Sequence, residues 1–202
     1  MTRELVPGVQ LTARWGSRLS GHVVKAVWSG PGDAVAALSI EGELVVLERG
    51  SGAVRYSRAA HPAGGASVPW HPSQSLIATG GQDGRVVVWD ATTGQVRHAL
   101  EAGASWVERV GWSPSGAMLA AAAGRRVRIW STDGVLLREH PTHRATVTDM
   151  RWQPGRDRLC TTSYGGVTLL DPALPAPRAA VLVAGQLAGG ALEPRRQVHR
   201  HR

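Results

Sequence analysis

Four tryptophans set the frame of this sequence. Trp28, Trp70, Trp112 and Trp152 lie 42, 42 and 40 residues apart, and each runs straight into a turn: Ser29-Gly30-Pro31-Gly32, His71-Pro72-Ser73, Ser113-Pro114-Ser115-Gly116 and Gln153-Pro154-Gly155. A fixed period of about 40–45 residues marks a repeat architecture, in which no unit buries its apolar surface alone and stacked neighbours share a core.

Other columns keep the same register. Two residues before each tryptophan stand Ala26, Val68, Val110 and Met150, and five before stand Val23, Gly65, Val107 and Val147, so an apolar strand is expected to end in each tryptophan. After the turn comes a small, apolar run: Val35 to Leu38, Leu76 to Thr79, Met118 to Ala122 and Leu159 to Thr162. A third run, rich in β-branched residues, closes on Leu47-Glu48, Trp89-Asp90, Trp130-Ser131 and Leu170-Asp171. A weaker fourth strand follows the glycine turns, as in Val96 to Leu100 and Val135 to Arg138. Four antiparallel strands per repeat make the blade of a β-propeller, in which radial repetition leaves only short edges.

The stretch Ile77-Ala78-Thr79-Gly80-Gly81-Gln82-Asp83-Gly84-Arg85-Val86-Val87-Val88-Trp89-Asp90 resembles the heart of a WD-repeat, and the resemblance runs from about Gly21 to Asp171. It implies an all-β fold, a partial, open propeller of about four four-stranded blades. The expected division is an N-terminal segment, 1–20, holding a ring-closing strand at Leu11 to Leu19, then blades at 21–60, 61–102, 103–142 and 143–180 and a tail at 181–202. The resemblance also implies a buried hydrogen-bond chain in the second blade, made by His61, Thr79, Asp83 and Trp89. A buried indole N–H and a buried imidazole both need partners, and a hydroxyl and a turn carboxylate supply them. The other blades read as degenerate: the first has Leu47 for the tryptophan, the third lacks the turn aspartate, and the fourth keeps His143 with Leu170.

Propellers of this family usually close with seven blades, so we expect a truncated member. Its single lysine, Lys25, and abundance of Ala, Gly, Arg and Pro suggest a G+C-rich gene and a bacterial-type source. Four blades leave both end sheets open, which predicts a marginal arc or self-association through the open faces. Read one base forward, the codons for Leu192 to His201 permit Trp-Ser-Pro-Asp-Gly-Lys-Tyr-Ile-Ala-Thr. That reading puts a tryptophan at position 192, 40 residues beyond Trp152, so the tail is expected to be a frame-shifted fifth blade.

The net charge of +8 raises nucleic acid or an acidic membrane as partners. Half of it lies in the last 25 residues, where five arginines face only Glu193, so the blade region is only mildly basic, and neither a membrane nor, as the first choice, nucleic acid is expected as a partner. Lone Cys160 forms no internal disulfide, the N-terminal stretch lacks the apolar run of a signal peptide, and Ala179 to Leu192 is too short to span a bilayer. The expectation is a cytoplasmic, non-catalytic scaffold with no cofactor and no metal, which binds a protein or peptide on the narrow propeller face. Trp106, at the mouth of the third blade, with Arg125 and Arg144, is the candidate contact. Two alternatives are a nucleic-acid surface built from Arg97, Arg109, Arg125, Arg126, Arg128 and Arg144, and a propeller hydrolase or lyase. The hydrolase needs inward ligands from several blades, whereas the inner strands read mostly as Val, Ala and Met.

Overall fold

The structure, a computed structural model, describes residues 12–140 and 143–174 and the backbone of 180–182. The described residues form no helix and sixteen strands in four antiparallel sheets, each built of four consecutive strands joined by hairpins. The first sheet holds β1 (Val23–Trp28), β2 (Ala34–Ser39), β3 (Glu43–Glu48) and β4 (Val54–Ala59). The second holds β5 (Gly65–Ser67), β6 (Leu76–Gly81), β7 (Arg85–Asp90) and β8 (Val96–Glu101). The third holds β9 (Val107–Trp112), β10 (Met118–Ala123), β11 (Arg126–Ser131) and β12 (Leu136–His140). The fourth holds β13 (Val147–Trp152), β14 (Leu159–Ser163), β15 (Gly166–Leu170) and β16 (Ala180–Leu182).

Strand alternation explains how the sheets stack. Along β10, Leu119, Ala121 and Ala123 pack toward the second sheet, while Ala120 and Ala122 pack toward the fourth. Along β6, Leu76 and Ala78 face the third sheet and Ile77 faces the first. A middle strand covered on both faces must be apolar at every position, and this explains the unbroken small and aliphatic runs in the sequence. Each fully buried Leu or Val, such as Leu38, Leu119 or Val88, contributes about 1.5–3 kcal/mol of burial. The many alanines let neighbouring backbones approach closely.

Three features depart from the sequence reading. The first is β5, which stops at Ser67, short of Trp70, because Pro69 has no N–H to give the ladder. Pairing resumes beyond it only as a single bridge between Trp70 and Ile77. Next, residues 12–19 make no sheet pairing, and Leu11 lies outside the described residues; Trp15 pins this segment to the first sheet by donating its indole N–H to Arg49 O at 2.7 Å. Finally, β16 pairs Val181 and Leu182 with Thr168 and Val167, so the fourth sheet reaches past residue 180 into the expected tail. The frame-shift reading of Leu192 to His201 falls outside the described residues.

The two end sheets differ. The first buries Ala37, Val45 and Leu47, which alternate with the residues facing the second sheet, so its far side is not bare. The fourth leaves Leu169 48% exposed.

Candidate functional site

In the second sheet, β6 and β7 and the segments before and between them bring His61, Thr79, Asp83 and Trp89 together. Trp89 donates its indole N–H to Thr79 Oγ1 at 2.9 Å, and Thr79 Oγ1 lies 2.8 Å from His61 Nε2. His61 Nδ1 lies 2.9 and 3.1 Å from the two Asp83 carboxylate oxygens. Burial pushes the His61 imidazole below its ordinary pKa, against the pull of the Asp83 carboxylate. A neutral ring here donates from Nδ1 to Asp83 and accepts the Thr79 hydroxyl proton at Nε2, so every donor in the chain points the same way.

This polarity, hydroxyl to imidazole to carboxylate, is that of a nucleophile set. Two facts disarm it. Thr79 is 0% exposed, and the Trp89 N–H already occupies its oxygen. No substrate atom reaches the hydroxyl, and the chain acts as internal scaffolding.

Sequence reasoning read one related device only in part, keeping His143 without its partners, and missed another at His71. His143, buried in front of β13, places Nε2 3.0 Å from Thr161 Oγ1 and Nδ1 3.3 Å from Arg125 O. A backbone carbonyl thus stands where Asp83 stands in the second sheet. The signal was present, since His143 and Thr161 keep the 18-residue spacing of His61 and Thr79. His71, also buried, was read only as part of a turn. Its Nδ1 accepts the N–H groups of Ser73 and Gln74 at 3.1 and 2.9 Å. Nε2 donates to Gly116 O at 2.9 Å, and the ring packs edge-on against Trp112. Burial lowers the His71 and His143 pKa values, opposed by the bonds to Gly116 and Arg125.

Trp106, Arg125 and Arg144 share one rim. Trp106 immediately precedes β9, and Ala123, which pairs with Val107, leads into the Gly124-Arg125 turn. Arg125 donates from Nε to His143 O at 2.6 Å, and the His143 N–H donates to Arg125 O at 2.8 Å, which places Arg144 on the adjoining turn. Trp106 is 55% exposed with φ 64°, and among the described residues no other non-glycine has positive φ. A bulky side chain in the left-handed region is an outlier that the surrounding structure must hold in place.

Of the six arginines weighed as a nucleic-acid surface, four are paired with carboxylates. Arg97 meets Asp90, Arg109 meets Asp149, and Arg126 and Arg128 meet Glu139, at 2.8–3.1 Å. Among the described residues, Arg125 and Arg144 have no carboxylate within ion-pair distance. The inner strands are also less apolar than expected, because Asp149 sits between Arg109 and Arg151, 3.1 Å from each. Burial pushes the Asp149 carboxyl up, but the Met150 N–H and the two guanidiniums outweigh it and hold the pKa below the ordinary value. Among the described residues no group of three or more His, Cys, Asp or Glu is placed to hold a metal ion.

Four radially stacked four-stranded sheets, with an indole, hydroxyl, imidazole and carboxylate chain inside one of them, define a WD-repeat propeller of about four blades. The family model of the anaphase-promoting complex subunit 4 WD40 domain matches residues 15–115, half of the chain, and this protein belongs to the WD40-repeat family. No curated protein matches it.

Proposed function

We propose that this chain is a non-catalytic, cytoplasmic interaction scaffold that takes a peptide or protein on the rim carrying Trp106, Arg125 and Arg144. WD40 domains serve generally as protein-interaction scaffolds, and the observation that carries the reading is Trp106. A tryptophan held left-handed and more than half exposed gains little from packing at home. Exposed tryptophans and arginines are the side chains that dominate binding energy at protein interfaces. Arg125 is preset by its bond to His143 O, and with Arg144 it offers charge that no carboxylate among the described residues uses. Self-association uses the far face of the fourth sheet, where Leu169 is exposed.

Selection from a displayed random-peptide library, with counter-selection on Trp106→Gly, tests the reading. The expected result is a family of peptides that bind the wild type and lose about tenfold or more in affinity with Trp106→Gly. Peptides that bind both proteins equally would remove Trp106 from the site.

A further inference from the structure

At the other end of the inner strands, where β1 finishes, Arg14, Trp15, Trp28, Arg49 and Gly50 line a cleft of about 480 Å³. One wall is fixed, because the Trp15 indole N–H is spent on Arg49 O and Gly52 packs against the Trp15 ring so closely that a Cβ would come within 2.7 Å of it. The other wall is not. Trp28 is 57% exposed, and among the described residues its indole has no acceptor.

The repeat shows what such an indole does when it is occupied. Trp70 donates to Val27 O at 3.2 Å, and Trp152 donates to Gly111 O at 2.9 Å, whereas Trp112 leaves its buried indole N–H without a partner, the equivalent carbonyl of Pro69 being taken by the Ala78 N–H. Each acceptor is a backbone carbonyl in the extended inner strand of the preceding sheet, one residue before that strand's own tryptophan. Trp28 begins the series and presents the same donor with nothing on it. Arg14 and Arg49, beside it, have no carboxylate within ion-pair distance among the described residues.

We propose that this cleft is a second binding site, independent of the Trp106 rim, for an extended acidic peptide of a partner protein. A backbone carbonyl of the peptide accepts the Trp28 N–H, as Val27 and Gly111 do for their tryptophans. A Glu or Asp side chain meets the Arg14 and Arg49 guanidiniums, and an apolar neighbour packs on the indole faces. A nucleic-acid strand fits less well, because it needs a continuous cationic track, and here the Asp33 and Glu48 carboxylates, both paired with Arg55, interrupt it.

Fluorescence anisotropy on the full chain decides it, with a short fluorescein-labelled peptide of glutamate, leucine and serine as the probe. A version with lysine for glutamate and a short oligothymidylate serve as comparisons. The acidic peptide should bind and the lysine peptide should not, and Trp28→Ala and Arg49→Glu should each weaken binding about tenfold. Trp106→Gly should leave it unchanged. Both altered side chains are exposed, so the thermal midpoints should match the wild type. Affinity unaffected by Trp28→Ala and Arg49→Glu, or oligothymidylate binding as tight as the peptide, overturns the proposal.

Discussion

Trp89 and Thr79 stand on adjacent strands of one sheet, and the indole N–H of the first is held by the hydroxyl of the second at 2.9 Å, both side chains sealed from water. Through Thr79 the bond continues to His61 and on to Asp83 at the rim. The polar chain therefore fixes the register of the second sheet from its outer part to its loop, and it is undone by removing one oxygen.

Thr79→Val keeps the volume but leaves the Trp89 N–H and His61 Nε2 unpaired. The expected cost is about 2–3 kcal/mol, since each buried unsatisfied group carries its own desolvation penalty. Urea denaturation followed by tryptophan fluorescence measures it. A loss of only a few tenths would mean that water replaces the hydroxyl.

Stability should fall as the solution is acidified from neutrality toward pH 5. The folded imidazoles of His61, His71 and His143 sit below their ordinary value of 6.5, mainly through burial. The unfolded chain therefore takes up protons first, and the stability present above pH 6.5 drains away as pH drops toward the folded values. A second loss follows at lower pH. Asp90, held down to about 2 by Arg97 and the Thr93 and Thr92 N–H groups, keeps its contribution above the ordinary carboxylate range and loses it as pH falls toward 2. Thermal midpoints across this range, with His71→Phe to flatten the upper part, provide the check.

Gly116 and Gly155 occupy the turn after the inner strand in the third and fourth sheets, with φ 77° and 69°. Alanine at Gly155 meets open space and costs only the backbone strain, about 1 kcal/mol. At Gly116 a Cβ would lie 2.3 Å from His71 Cε1, so alanine must also displace the ring that ties the second sheet to the third. Paired unfolding measurements should show the Gly116 variant to be the less stable by a further 1–2 kcal/mol or about that. Equal losses would show that His71 moves aside freely.

The tryptophan column, the four-strand repeat and the chain from His61 to Trp89 were legible in the sequence because each is written in residue type at fixed spacing. Three kinds of fact were not. Pro69 ends β5 early because a backbone donor is missing, which the apolar pattern around Val68 hides. The partner of His143 at the carboxylate position is a main-chain carbonyl, and main chain carries no sequence signal. The pairing of Asp149 with Arg109 and Arg151 joins two sheets across 40 residues, and only the stacking reveals it. The left-handed backbone of Trp106 belongs to the same class, since nothing in the residues from Gly103 to Val107 announces which of them carries the positive φ beside Gly103.

The scaffold reading stands or falls on whether Trp106 is kept for binding or for packing. Measuring both the unfolding midpoint and the affinity for a selected peptide on the same Trp106→Gly protein separates the two. The account predicts a midpoint equal to or above that of the wild type, because glycine relieves the left-handed strain, together with lost peptide affinity. A lower midpoint with unchanged affinity would contradict it and make Trp106 a packing residue.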